Sequence, residues 1–261
     1  MNAASRRRLA TERRVLKLLA DRCSFQAPCV LFAAEAGWDV RALVPGAYDP
    51  WGLYRRTRTD RGLARRLGRA VGGVLAEQHA RVSRADVEGW LPDAVPWPEP
   101  LAWMRARLPD VVDDRGLLAG MERALRRYEG QEVAAGDLVL VHGDLGFHNV
   151  AVDPVTDELL GVFDYEGAAW ADRHHDFRYL VFDHDGEDVL DGALESYEPA
   201  TGVRIDRSRV RLYNAACAIS FLAFRRGVPP DARSCGRTLA EDLRWVRFAL
   251  SSIGIGVAHR G

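Results

Sequence analysis

The chain has 261 residues, 48% of them hydrophobic and 28% charged, with 36 basic and 37 acidic side chains that leave a formal charge of −1. That balance describes one large globular domain or two lobes and gives no footing for a nucleic-acid-binding polycation. No apolar run approaches the length of a membrane span. The N-terminal arginines are not followed by an apolar segment, so no signal peptide is read and the cytoplasm is the expected compartment. Cys23, Cys29, Cys217 and Cys235 lack metal or redox spacing and are read as reduced thiols. Lys17 is the single lysine, and every other basic residue is arginine.

In chain order, the spacing of Leu9, Val15-Leu16 and Leu18-Leu19 predicts an amphipathic helix over Ser5 to Arg22. Cys29 to Ala33 and Trp38 to Val44 read as an antiparallel strand pair that stops at Pro45-Gly46. A second helix is expected from Asp60, its N-cap, to Arg81. Gly68, Gly72 and Gly73 fall inside its periodicity with no strand before them, so they imply close helix packing rather than a phosphate loop. Val87 to Asp114 is rich in proline and tryptophan, and Trp97 and Trp103 serve there either as core or as a stacking surface. Leu117 to Tyr128 forms a further helix.

The densest chemistry lies between Leu138 and Glu166. Leu138 to Val141 is a buried strand that ends at His142-Gly143-Asp144. Asn149 follows, then the strand Val150 to Val152, a turn at Asp153-Pro154, and the returning strand Leu159 to Phe163 with Asp164 at its end. This hairpin carries Asp144, Asn149 and Asp164 to one edge. Two carboxylates and an amide oxygen are hard ligands of the kind Mg²⁺ accepts when phosphate oxygens complete its shell. Phosphoryl transfer needs that set together with a carboxylate beside the acceptor hydroxyl. His142 is read as a packing residue that fixes the loop.

HGDLGFHN, followed by VFDYEGAAWADRHHDF, resembles the aminoglycoside phosphotransferase family, whose fold is related to that of protein kinases. The resemblance implies an α+β, two-lobed kinase-like fold: a reduced N-terminal lobe over residues 1–47 and a mostly helical C-terminal lobe over residues 48–261. It further implies Asp144 as catalytic base, Asn149 and Asp164 as Mg²⁺ ligands, and Asp176 as a structural acid bracing the catalytic loop. Backbone groups around Ala42, Leu43 and Val44 would face the adenine, with a plain hairpin as the competing reading.

The implied reaction moves the ATP γ-phosphate, with GTP not excluded, to a hydroxyl of an aminoglycoside-like or other small acceptor, cationic acceptors included. Neither nucleic acid nor membrane is an expected partner, and the oligomeric state stays open. Two departures stand out near the metal ligand: Ala171-Asp172-Arg173 where the family usually has Gly-Asp-Pro, and Tyr165 where it usually has Trp.

A larger departure lies at the start. Glu12 falls where the family's first N-lobe helix carries a lysine-pairing glutamate, or else is a surface partner of the helix arginines. The nucleotide-covering strands and their lysine would precede it, so the chain either begins inside a longer product or lacks them. A catalytically impaired kinase-like binding protein is therefore the alternative, with a metal-dependent hydrolase as a third reading.

Three expectations concern the remainder. Asp172 to Phe182 is read as helical, with adjacent His174 and His175 unable to chelate together. The acidic run from Asp183 to Glu198 is either a solvated face or a surface for a cationic acceptor. Asp206 caps a helix toward Gly227, and Thr238 with Glu241 makes a capping box for a last helix through Leu250.

Overall fold

The computed structural model describes residues 3–34, 37–181 and 187–256. Helix α1 (Ala3–Arg22) leads to strands β1 (Val30–Ala33) and β2 (Asp39–Arg41), then to α2 (Pro50–Thr59), α3 (Arg61–Arg81), α4 (Arg84–Val87), α5 (Leu101–Arg107) and α6 (Arg115–Glu129). Strands β3 (Leu138–Val141), β4 (Val150–Val152), β5 (Leu159–Val162) and β6 (Ala169–Asp172) follow, and α7 (Asp188–Thr201), α8 (Arg207–Ala223) and α9 (Leu239–Ser252) complete the chain. Two compact units emerge: residues 1–95, 134–180 and 186–205 in one, residues 96–133, 181–185 and 206–261 in the other.

The first unit holds three antiparallel strand pairs, β1 with β2, β3 with β6, and β4 with β5. Strand β3 finds its partner in β6 with Val139 opposite Ala171 and Val141 opposite Ala169, and these four side chains make a small buried cluster against Val95. In the β4–β5 hairpin Val150 stands opposite Val162. That register carries Asn149 and Phe163 to the same end, where the Phe163 N–H donates to the Asn149 carbonyl at 3.0 Å. The segment leaving β2 is tied to the hairpin by reciprocal backbone bonds between Ala47 and Val152, at 2.7 and 3.1 Å.

Helices α3 and α7 approach so closely that Gly68 and Gly72 face backbone. A Cβ at either position would lie 2.1 Å from the carbonyl oxygen of Val189 or Ala193, so these two glycines answer to packing, as the periodicity implied, whereas Gly73 is exposed and a Cβ there would meet nothing within 4 Å. The same contact engages several acids of the run from Asp183 to Glu198. Asp188 takes Arg61 and Arg65, Asp191 takes Arg65, and Glu195 takes Arg65 and Arg69, while Glu198 accepts Arg204 and the Ile205 N–H. Asp183 and Asp185 lie outside the described residues.

The expected helix from Asp172 to Phe182 is also corrected. Asp172 ends β6, because β3 needs a partner for its backbone groups, and Arg173–Val181 winds as a 3₁₀ helix. Asp172 starts that tighter coil by accepting the His174 N–H at 3.0 Å. Both histidines are buried packing residues, and Phe182 lies outside the described residues.

The second unit is helical. Leu117, Met121, Ala124 and Leu125 of α6, and Ile219 and Leu222 of α8, are buried. The Trp245 indole of α9 donates to Asn214 of α8 at 3.2 Å. Trp103 and Trp97 are both half-buried, and the Trp103 ring sits 4.8 Å from that of Phe224. Asp206 caps α8, and Thr238 with Glu241 forms the capping box of α9.

Filling the α3–α7 crossing tests this packing. Gly72→Val is expected to cost about 1–3 kcal/mol of stability by overpacking, read as a lower urea midpoint with an unchanged slope; an unaltered midpoint contradicts the close approach.

Candidate active site

The loop after β3 is built around a buried carboxylate. Gly143 adopts φ +81°, and a Cβ there would fall 2.2 Å from the Gly167 carbonyl oxygen, so no other residue fits without a backbone shift. The turn directs the His142 and Gly143 N–H groups onto the two oxygens of Asp176, at 2.9 Å each. Arg178, fully buried, donates to the Gly143 carbonyl. Burial works to raise the Asp176 pKa, but His79, His142 and the Gly143 N–H hold the carboxyl below the ordinary aspartate value.

His79 extends this frame to two helices. Its Nε2 lies 3.1 Å from Asp176 and its Nδ1 2.9 Å from the Tyr197 hydroxyl, which itself accepts from Arg173 at 2.7 Å. Burial pushes the His79 pKa down, so a neutral ring donating from Nε2 to Asp176 and accepting Tyr197 O–H at Nδ1 satisfies every partner. His142 is held at both ring nitrogens. Its Nδ1 accepts the Asp144 N–H at 3.2 Å, and its Nε2 faces the Phe163 carbonyl at 3.0 Å.

Tyr165 stacks 4.3 Å from the His142 ring and donates to Gln78 at 3.0 Å, while Gln78 donates to the Leu140 carbonyl at 2.9 Å. The residue that departs from the family pattern is therefore anchored at both its face and its tip.

Asp144, Asn149 and Asp164 come together at the open end of this frame. The Asn149 amide donates to the Asp144 carbonyl at 2.9 Å and to its carboxylate at 3.4 Å, which leaves the Asn149 side-chain oxygen as an unused acceptor among the described residues. Burial opposes ionisation of Asp144, but His148, 3.4 Å from its carboxylate, and the charge of Arg178 keep its pKa below the ordinary value. Asp164 adopts φ 68° and ψ 58°, a left-handed conformation uncommon outside glycine. Its carboxylate accepts no hydrogen bond from a described residue. Crowding and then the negative charges of Glu12 and Asp144 push its pKa up.

An exposed, unpaired carboxylate destabilised by neighbouring acids is suited to a cation, and with the Asn149 oxygen it offers two hard donors. Among the described residues no cluster of three His, Cys, Asp or Glu side chains is arranged to hold a metal by itself. Two protein donors leave the rest of an octahedral shell to phosphate oxygens and water.

Glu12 is not a surface partner. It is 6% exposed and accepts both terminal nitrogens of Arg41, at 2.8 and 2.7 Å. A cavity of about 360 Å³ is lined by Arg8, Glu12, Asp39, Arg41 and Glu166 among others. Of the backbone groups expected to face an adenine, Ala42 spends its N–H on the Cys29 carbonyl at 2.8 Å as part of the strand pair. Leu43 is 90% exposed and Val44 half-buried.

The sequence reading gave no role to His79, His148, Arg178 or Arg41. His148 was findable, since it stands four residues after Asp144 on a tight turn.

A profile of the Phosphotransferase enzyme family (APH) matches residues 2–213. The chain belongs to this family. Streptomycin 3''-kinase of Streptomyces griseus is 34% identical over 121 residues, which is 46% of this chain and 36% of that protein. Aminoglycoside 3'-phosphotransferase of Streptomyces fradiae is 28% identical over 187 residues, or 68% of this chain and 66% of that protein. The chain thus spans between about a third and two thirds of the curated relatives it matches. Among solved structures, the GDP complex of wild-type aminoglycoside 2'-phosphotransferase-IIIa superposes with a TM-score of 0.66 at 18% identity, covering 96% of this chain and 84% of that one. The fold of this APH family member is accordingly α+β and kinase-like.

Acid should loosen the frame of this APH protein. Burial drives the His175 pKa from 6.5 down to about 3, so the unfolded chain binds the extra proton first as pH falls. Its contribution is complete above about pH 6.5 and is lost progressively below it. Between pH 7.5 and 5.5 the loss from this group is about 1.4 kcal/mol, with His79 acting in the same direction. Urea midpoints at the two pH values measure it, His175→Asn should flatten the dependence, and a flat wild-type profile contradicts neutral burial.

Proposed function

We propose that this APH family member transfers the γ-phosphate of a nucleoside triphosphate to a hydroxyl of a small molecule. The observation that carries the reading is the convergence of Asp144, Asn149 and Asp164 at one end of the β4–β5 hairpin, on a loop fixed by Asp176. Asp144, half-buried and held ionised by His148, would orient the acceptor hydroxyl and take its proton.

Asn149 and Asp164 would hold Mg²⁺, which when bound neutralises phosphate charge. The backbone around Leu43 and Val44, next to Ala42, would meet the base, with residues 1–47 as the nucleotide side of the fold. ATP is the expected donor, and GTP is equally compatible with these groups. The compartment is the cytoplasm, where such nucleotides are available. The acceptor class follows from the relatives named for streptomycin and aminoglycosides: polyhydroxylated, amine-bearing small molecules.

One observation favours a second reading, a kinase-like binding protein without catalysis. Among the described residues Glu12 is paired with Arg41 rather than with a lysine.

Purified protein with Mg²⁺ and ATP or GTP, screened against aminoglycosides and other hydroxylated metabolites for phosphate uptake, separates the two. Asp144→Asn should lower kcat by about 10²–10⁴-fold with nucleotide binding kept, and Asp164→Ala should abolish Mg²⁺-dependent nucleotide binding. Acceptor binding with no nucleotide binding and no transfer would favour the second reading and overturn the first.

A further inference from the structure

Glu12 and Arg41 make a part-buried, bidentate ion pair in the first unit that the reaction has not yet claimed. Arg41 is the last residue of β2, immediately before Ala42. Its two terminal nitrogens meet the two oxygens of Glu12 at 2.8 and 2.7 Å, a bidentate geometry. Asp39 accepts from Arg41 Nη2 at 2.9 Å and from Nε at 3.3 Å, and is itself held by Arg13 at 2.6 Å. Of the five guanidinium N–H groups, four are thereby used. The fifth, on Nη1, has no acceptor among the described residues.

This side chain is fixed but not sealed. A quarter of it remains exposed, and it lines the cavity of about 360 Å³ together with Glu12, Asp39, Glu166 and Arg8. The cavity reaches the neighbourhood of the candidate metal ligand, because Glu166, two residues after Asp164, lines it. Three acids against two arginines line the space, so a polyphosphate entering it needs a cation that is already positioned. Phosphoryl-transfer sites of this fold commonly use a lysine held by a helix glutamate. Here the glutamate is present and arginine is what it holds. Lys17 lies five residues beyond Glu12 on the same helix, turned about 140° away from it.

We propose that Arg41, oriented by Glu12 and Asp39, is the cation that holds the nucleotide's α- and β-phosphates in this protein. The assignment rests on the phosphotransferase reading and makes it specific. A guanidinium from the strand next to the base-facing segment supplies the contact that a lysine makes elsewhere. Arginine suits the position because its planar fork satisfies Glu12 bidentately and still presents an N–H to a phosphate oxygen.

The test compares Mg·ATP, Mg·GTP and adenosine by calorimetric titration of the full chain, for wild type, Arg41→Gln, Arg41→Lys and the control Lys17→Ala, with melting curves for each. Arg41→Gln should weaken nucleoside triphosphate binding at least tenfold while adenosine affinity stays within twofold. Arg41→Lys should recover part of the loss, and Lys17→Ala should match wild type. Equal losses for triphosphate and adenosine would show Arg41 to be merely structural and overturn the assignment, as would unchanged triphosphate affinity in Arg41→Gln. A wild type that binds neither triphosphate would overturn the phosphotransferase reading together with this assignment.

Discussion

A carboxylate taken out of water is costly unless each of its oxygens is met by a donor. Asp176 is 0% exposed, and it meets that demand with the His142 and Gly143 N–H groups and the His79 ring. Two of these donors belong to the loop backbone itself. The loop cannot move away without stranding a buried charge, so the same contacts that satisfy Asp176 set the position of Asp144, one residue further on. Gly143 makes the turn possible by tolerating both its positive φ and the close Gly167 carbonyl.

From that fixed point the site spreads outward. His142 ties the loop to the Phe163 carbonyl, and the Asn149 carbonyl accepts the Phe163 N–H, so both ends of the loop hold the residue preceding Asp164. The result places an ionised, His148-stabilised Asp144 beside an Asp164 whose charge is disfavoured by desolvation and then by Glu12 and Asp144. Two nearby carboxylates thus carry opposite shifts, one favouring its charge and the other disfavouring it.

Much of this was legible because it is local. Strand β3 stops at a glycine turn, the β4–β5 hairpin has a clear turn signal, and a period of two along the strands fixes which end Asn149 and Asp164 share. The helix caps at Asp60, Asp206 and Thr238 were equally plain, since capping depends on residues only a few positions apart.

What escaped the sequence depends on partners distant along the chain. Glu12 looked like one acid among helix arginines until Arg41, 29 residues later, proved to be its partner. Asp188, Asp191 and Glu195 of α7 looked free because their arginines lie on α3, more than a hundred residues earlier. Asp172 and its successors carry a helical pattern, but β3 recruited Ala169–Asp172 as its partner strand and left only the tighter coil beyond. His79 stands where the resembled family often has a histidine, yet no role could be read for it, since its importance lies in Asp176 and Tyr197.

The central claim is that this buried frame assembles one cation site from the two ends of a hairpin. Anomalous diffraction from crystals grown with Mn²⁺ and a non-hydrolysable triphosphate tests it most directly. The account predicts a manganese peak about 2.2 Å from both an Asp164 carboxylate oxygen and the Asn149 side-chain oxygen. A nucleotide-associated peak on other carboxylates, with Asp164 and Asn149 outside its coordination shell, would contradict it.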